Sequence, residues 1–160
     1  MSSKAEAALA IFQGRVGQEE GVGEWHTVDQ KQIDLFADAT LDHQFIHVDP
    51  EKAAKLSPYK VTIAHGFLTL SMIVHLGASI PRAEPAAYEG LTMGINYGLD
   101  RVRFPSPVKV NSRIRASRRL VSAELKAPNV IQLKQEVTVE IEGEEKPALV
   151  ADWLTRAVYA

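Results

Sequence analysis

Thr62-Ile63-Ala64-His65-Gly66-Phe67-Leu68-Thr69-Leu70-Ser71-Met72-Ile73-Val74-His75-Leu76-Gly77-Ala78-Ser79-Ile80-Pro81 is the stretch on which the fold turns. It predicts a helix from about Ala64 to Ile80, ended by Pro81, which cannot continue it. Phe67, Leu68, Leu70, Met72, Ile73, Val74 and Leu76 surround its axis, and a helix apolar on most sides must be enclosed. Val61 to Ile80 also carries His65, Thr69, Ser71, His75 and Ser79. These polar side chains make a poor membrane span, so the stretch reads as a buried helix of a soluble protein, with His75 a hydrogen-bonded core histidine.

The enclosing material follows it. Pro81 to Gly90 is a loop, and Leu91 to Phe104 reads as a strand interrupted at Gly94 and Gly98. After the Pro105-Ser106-Pro107 turn, Val108, Val110, Ile114, Ala116 and Leu120 alternate with Lys109, Asn111, Arg113, Arg115 and Arg119. Ile131, Leu133, Val137, Val139 and Ile141 then alternate with Gln132, Lys134, Glu136, Thr138 and Glu140, the pattern of a strand with one wet face. Glu142 to Pro147 turns the chain into a last strand, Ala148 to Tyr159.

Upstream, Ser3 to Gln13 forms a short helix ended by Gly14, Gly17 to Gly23 reads as a turn or short loop, and Glu24 to His26 touches a short strand. Thr27 looks like an N-cap with Gln30 as its capping-box partner. The helix that follows puts Val28, Leu35, Phe36 and Ala39 on one face and ends near Thr40. Asp49-Pro50 starts another helix, with Asp49 as N-cap and Pro50 at the first position, and Ser57-Pro58 stops it. Helices first, then an antiparallel meander around one central helix, argue a single α+β domain over residues 1–160. The sheet edge that such strands leave needs cover, which a homodimer pairing edges would supply.

The bulk numbers narrow the function. Across 160 residues, 46% are hydrophobic and 24% charged, with a formal net charge of −2. Nothing here selects nucleic acid as a partner. Cysteine is absent, which removes disulfides, thiolate catalysis and cysteine zinc sites. The N-terminal run, interrupted by Glu6, lacks the pattern of an export signal, and the location read from both observations is cytoplasmic. Arg101, Arg103, Lys109, Arg113, Arg115, Arg118 and Arg119 read as a solvated sheet face, with some free to hold the phosphates of a nucleotide-bearing substrate. Trp25 and Trp153 read as packing residues.

The chemistry gathers in Phe36-Ala37-Asp38-Ala39-Thr40-Leu41-Asp42-His43-Gln44-Phe45-Ile46-His47-Val48-Asp49-Pro50. Asp42 and His47, five positions apart, are a carboxylate and an imidazole able to hold one water and move its protons. The bland alternative is a turn aspartate beside an unrelated histidine. If Gly66 opens the central helix, its N–H lacks an intrahelical partner and a substrate oxygen can approach closely; the alternative is a glycine chosen for tight packing. His65 reads as a structural or positioning histidine rather than the base. Asp38 is a solvated helix position. His43 and His47 stand four apart, but a helix through both does not fit the flanking residues and no carboxylate or cysteine cluster completes a shell, so no metal and no cofactor are expected.

These residues also carry a resemblance. The stretch from Phe36 to Pro50, with Thr62-Ile63-Ala64-His65-Gly66-Phe67-Leu68-Thr69 and Asn96-Tyr97-Gly98-Leu99-Asp100-Arg101-Val102-Arg103-Phe104-Pro105, resembles the MaoC-like R-specific enoyl-CoA hydratases, in their NodN-like branch. The likeness implies a hot-dog fold, in which a sheet wraps a long helix, usually as a dimer. It implies a catalytic pair at Asp42 and His47, an oxyanion donor at Gly66, and substrate positioning by His65 and Gln44. The implied substrate is a trans-2-enoyl thioester of coenzyme A or an acyl-carrier protein, hydrated to an R-3-hydroxyacyl product. A thioesterase, or a non-catalytic acyl-thioester-binding subunit, is the alternative on the same fold. The chain departs from the family at Gln44 and Phe45, where many members carry asparagine and proline.

Overall fold

The computed structural model describes residues 3–160. Its scaffold is one antiparallel sheet of six strands: β1 (Glu19–Val22), β2 (His26–Thr27), β3 (Leu91–Arg103), β4 (Arg113–Ala127), β5 (Val130–Ile141) and β6 (Leu149–Tyr159). The order across the sheet is β1-β4-β5-β6-β3, with β2 also paired to β4. In β5 the alternation of the sequence becomes strict alternation of burial: Ile131, Leu133, Val137, Val139 and Ile141 face inward, joined by the polar Gln135. On the outer face Arg115 and Arg119 lie opposite Glu140 and Glu136 and pair with them at 3.0 and 2.9 Å. Arg118 departs from the solvated-face reading, being mostly buried against Glu20 at 3.5 Å. Trp25 is only half-buried, lying under the Arg115 guanidinium at 4.3 Å.

Six α-helices accompany the sheet: α1 (Lys4–Arg15), α2 (Gln30–Thr40), α3 (Phe45–Val48), α4 (Pro50–Leu56), α5 (Gly66–Ser71) and α6 (Ile73–Ala78). Helix α1 opens on a capping box between Ser3 and Glu6 and runs through Gly14, rather than ending there. Its Ala5, Ala8 and Phe12 close one core with Leu120, Ile131 and Tyr159. The other core joins α5 and α6 to the sheet through Leu68, Met72, Ile73, Leu76, Ile114, Val137, Leu149 and Trp153.

Further expectations are corrected. The single long central helix is absent: α5 and α6 are separate, with Met72 between them at ψ −10°. Ser71 Oγ donates to the Phe67 carbonyl at 2.7 Å, and such back-bonding by a mid-helix serine bends the helix at that turn. Nor is this pair of helices enclosed on all sides. Phe67 and Val74 are 69% and 49% exposed, and His75 lies at the surface, edge-on to His26. Helix α2 begins two residues later than a Thr27 cap allows, because Thr27 pairs with Arg113 in the sheet and Val28 N–H donates to Ser112. Asp29 is the cap, accepting from Gln32 N–H at 2.8 Å, and the buried face of α2 is Ile33 and Ala37, with Leu35 outside. The segment 17–23 contains strand β1, and β3 is continuous through Gly94, with a register shift between Asn96 and Gly98.

Gly23 sets how closely the chain after β1 meets the end of α6. A Cβ there would lie 2.4 Å from Ser79 Oγ and 2.7 Å from the Leu76 carbonyl. Ser79 Oγ is already committed, donating to that carbonyl at 2.8 Å and accepting from Glu24 N–H at 2.9 Å. Gly23→Ala is therefore expected to destabilise the fold by about 1–3 kcal/mol, the usual range for overpacking, read as a lowered midpoint in chemical denaturation.

Candidate active site

Helix α2 ends in Leu41, whose left-handed backbone (φ 64°) turns the chain sharply and sends Asp42 back toward the body. Helix α3 is a single turn capped by the next helix start, Asp49 with Pro50, as the sequence predicts. That turn carries His47 into the interior, where it is 7% exposed. His47 Nδ1 lies 2.7 Å from the Ile63 carbonyl. A carbonyl only accepts, so Nδ1 carries the proton and Nε2 is left with a free lone pair.

Burial holds the His47 pKa below its ordinary 6.5, opposed by the Ile63 carbonyl; nearby His65 lowers it further and Asp42 raises it. The imidazole is thus a neutral base at pH 7. If His47 is the general base, kcat/KM falls on acidification through a midpoint below pH 6.5 and levels off at higher pH, which a pH–rate profile reads directly.

Asp42, His47 and His65 come together. Each offers one ligating atom, and the three atoms lie within 4.8 Å of one another. A carboxylate oxygen of Asp42 is therefore within reach of one water that also bonds a His47 ring nitrogen. The set does not suit a metal: the His47 and His65 rings are stacked, centroids 3.8 Å apart and 23° between planes, so their in-plane lone pairs run side by side instead of converging. His65 is 3% exposed, and its Nε2 lies 2.9 Å from the Asp42 carbonyl.

Gly66 is the first residue of α5, with His65 at the cap position. Among the described residues no acceptor takes the Gly66 N–H. Gly66 lines a cavity of about 320 Å³ together with His47, Ala64, Thr69, Phe104 and Val108 among others. The ring of Phe104 lies over the glycine, 3.3 Å from where a Cβ would stand. Two smaller cavities, about 220 and 210 Å³, share Val74, Asn96 and Trp153 and run between α6 and β3.

Gln44 lies at the exposed start of α3, its N–H a long 3.4 Å from the Asp42 carboxylate. Its side chain has no hydrogen-bond partner among the described residues. Asp38 and His43 pair with each other at the surface, 2.9 Å apart, which raises the His43 pKa. The sequence reading missed a clamp behind His47. Gln30 Nε2 donates to the His47 carbonyl at 2.7 Å, and Gln30 Oε1 accepts from buried Thr62 Oγ1, one residue before the Ile63 carbonyl. Three chain segments meet at one amide, and no local spacing announces that.

Comparison with known proteins gives a consistent result. The family model described as "MaoC like domain" matches residues 11–143. Nodulation protein N of Rhizobium leguminosarum bv. viciae is 54% identical over 151 residues, covering 94% of this chain and 91% of that protein. The 3-hydroxyacyl-thioester dehydratase Z of Mycobacterium tuberculosis strain H37Rv is 44% identical over 153 residues, covering 94% and 96%. Among solved structures, the R-hydratase PhaJ1 from Pseudomonas aeruginosa superposes with a TM-score of 0.67 at 23% identity, over 91% of this chain and 83% of that one. The (R)-hydratase from A. caviae gives 0.66 at 20%, over 88% and 94%. These two structures share the fold.

Proposed function

The chain belongs to the MaoC-like domain family, and from that premise we propose that it is an R-specific hydratase of trans-2-enoyl thioesters, forming R-3-hydroxyacyl thioesters or running the reverse dehydration. The observation that carries this reading is the approach of the Asp42 carboxylate to the buried, neutral His47 beside a cavity that holds an unpartnered Gly66 N–H.

Asp42 and His47 hold one water between them. His47 Nε2 takes a proton as the water oxygen attacks C3, and the electron pair of the double bond moves through C2 onto the thioester oxygen. Gly66 N–H, at the positive end of α5, stabilises that oxygen. The proton taken by His47 passes by way of Asp42 to C2, so one water is added and both residues return to their starting states. The catalytic residues are thus Asp42 and His47, with Gly66 as oxyanion donor and the exposed Gln44 amide as a positioning group. Gly66 and Leu70 lie one turn apart on α5, and Leu70 with Val74 of α6 lines the cavity beside β3, a path for the acyl chain away from the oxyanion donor.

The whole chain forms one hot-dog domain on this reading, since α1 fills the second core and β6 runs to Tyr159. It acts as a homodimer paired along β3. That strand exposes Met93, Ile95, Tyr97 and Leu99, and Phe67 and Val74 are exposed as well, apolar side chains that an association between copies would cover. A cytoplasmic location suits a chain without cysteine. Among the described residues, no helix is long and apolar enough to cross a membrane.

The test is purified protein with crotonyl-CoA, following the conjugated enoyl absorbance and free thiol together. Loss of absorbance without thiol supports the hydratase. Thiol release replaces it with a thioesterase, and tight binding without either change replaces it with a non-catalytic thioester-binding subunit.

A further inference from the structure

We propose that His65 is a positioning residue that holds Asp42 opposite His47, through a hydrogen bond from its Nε2–H to the Asp42 backbone carbonyl; the inference rests on the Asp42–His47 assignment and deepens it. Asp42 needs such an anchor. Its side chain is 53% exposed, and it follows Leu41, a non-glycine residue with positive φ that is itself 81% exposed. Among the described residues two hydrogen bonds reach Asp42. One is the Gln44 N–H at 3.4 Å, too long to fix a carboxylate. The other is His65 Nε2 at 2.9 Å, from a residue 23 positions later in the chain.

His65 is built to serve this purpose. It is 3% exposed, and its ring is clamped between His47, stacked at 3.8 Å, and Phe36, tilted at 5.0 Å. Since the Asp42 carbonyl only accepts, Nε2 carries the hydrogen and Nδ1 is a bare lone pair. Nδ1 is buried with no partner. The ring's one engaged donor is thus the Nε2–H aimed at residue 42. His65 also immediately precedes Gly66. One side chain thereby ties the acid–base loop to the helix start that presents the oxyanion donor, and it stacks on the base. A shift of Asp42 by about 1 Å costs roughly 100-fold in rate.

Two substitutions separate the anchor from the stack. In His65→Gln the amide nitrogen is as many bonds from Cα as His Nε2, so a donor to Asp42 survives without an aromatic ring. In His65→Phe the ring survives without a donor. The expected result is that His65→Phe loses roughly 100-fold in kcat with KM on crotonyl-CoA nearly unchanged, while His65→Gln recovers most of that loss. Amide hydrogen exchange at Leu41 to Gln44 supplies a readout independent of turnover, faster in His65→Phe and near wild type in His65→Gln. Wild-type protein that does not hydrate any enoyl thioester overturns the hydratase reading, while the exchange data still decide whether His65 anchors the loop. Wild-type rate and exchange in His65→Phe, or equal losses in both variants when both stay folded by circular dichroism, overturn the anchor.

Discussion

Asp42→Asn and His47→Asn each lower the turnover of an enoyl thioester by about 100-fold or more, the usual cost of losing an acid–base group, with KM little changed. Each substitution deletes chemistry with little change of shape. Asp42→Asn preserves size and the backbone carbonyl that His65 holds. His47→Asn places an amide N–H where Nδ1 stood, so the Ile63 carbonyl at 2.7 Å retains a donor, while Nε2 is gone. The double variant loses little beyond either single one, because two residues sharing one water act as a unit. Losses that multiply in the double variant contradict the shared water.

Gly66→Pro lowers kcat by about 100-fold to 1,000-fold, the range for loss of one oxyanion donor, without unfolding the protein. Proline removes the one N–H assigned to the thioester oxygen. It does so at the first position of α5, where proline is tolerated, and His65 already has the extended backbone that a residue before proline requires, φ −59° and ψ 138°. The added ring presses on Phe104, a side chain 43% exposed and free to give way. Gly66→Ala is the control: it crowds Phe104 in the same place and keeps the N–H, so it retains most of the activity. Kinetics and a denaturation curve on the pair separate donor loss from crowding.

How much of this was legible in the sequence depended on the range over which each feature is decided. Strands β4 and β5 are legible because alternation of apolar and polar residues is itself the signature of a half-buried strand, and the Asp49-Pro50 helix start because a cap is a local interaction. The start of α2 was misplaced. Thr27 has the right chemistry for a cap, but its backbone is taken by Arg113 across the sheet, and pairing over 86 positions leaves no local mark. The break at Met72 was equally hidden, since Ser71 bonds Phe67 or solvent according to the packing around it. Phe67 and Val74 were expected inside, and in the single chain they are exposed; apolarity alone does not distinguish a core from a surface between two chains.

At the site, residue types and spacing bring forward Asp42, His47, His65 and Gly66, which the fold gathers from two segments 18 to 24 positions apart. What spacing did not carry is the supporting layer. Gln30 was read as a capping partner, yet its amide joins the His47 backbone to Thr62. His65 reads as a positioning histidine, but no spacing names Asp42, 23 positions back, as the residue it bonds.

The most direct measurement is the configuration at C3 of the product formed from crotonyl-CoA by the wild-type protein, with Asp42→Asn alongside. The account predicts the R-3-hydroxy thioester from the wild type, intact thioester throughout, and about 100-fold less product from Asp42→Asn. An S or racemic product, or R product formed at the same rate by both proteins, contradicts it.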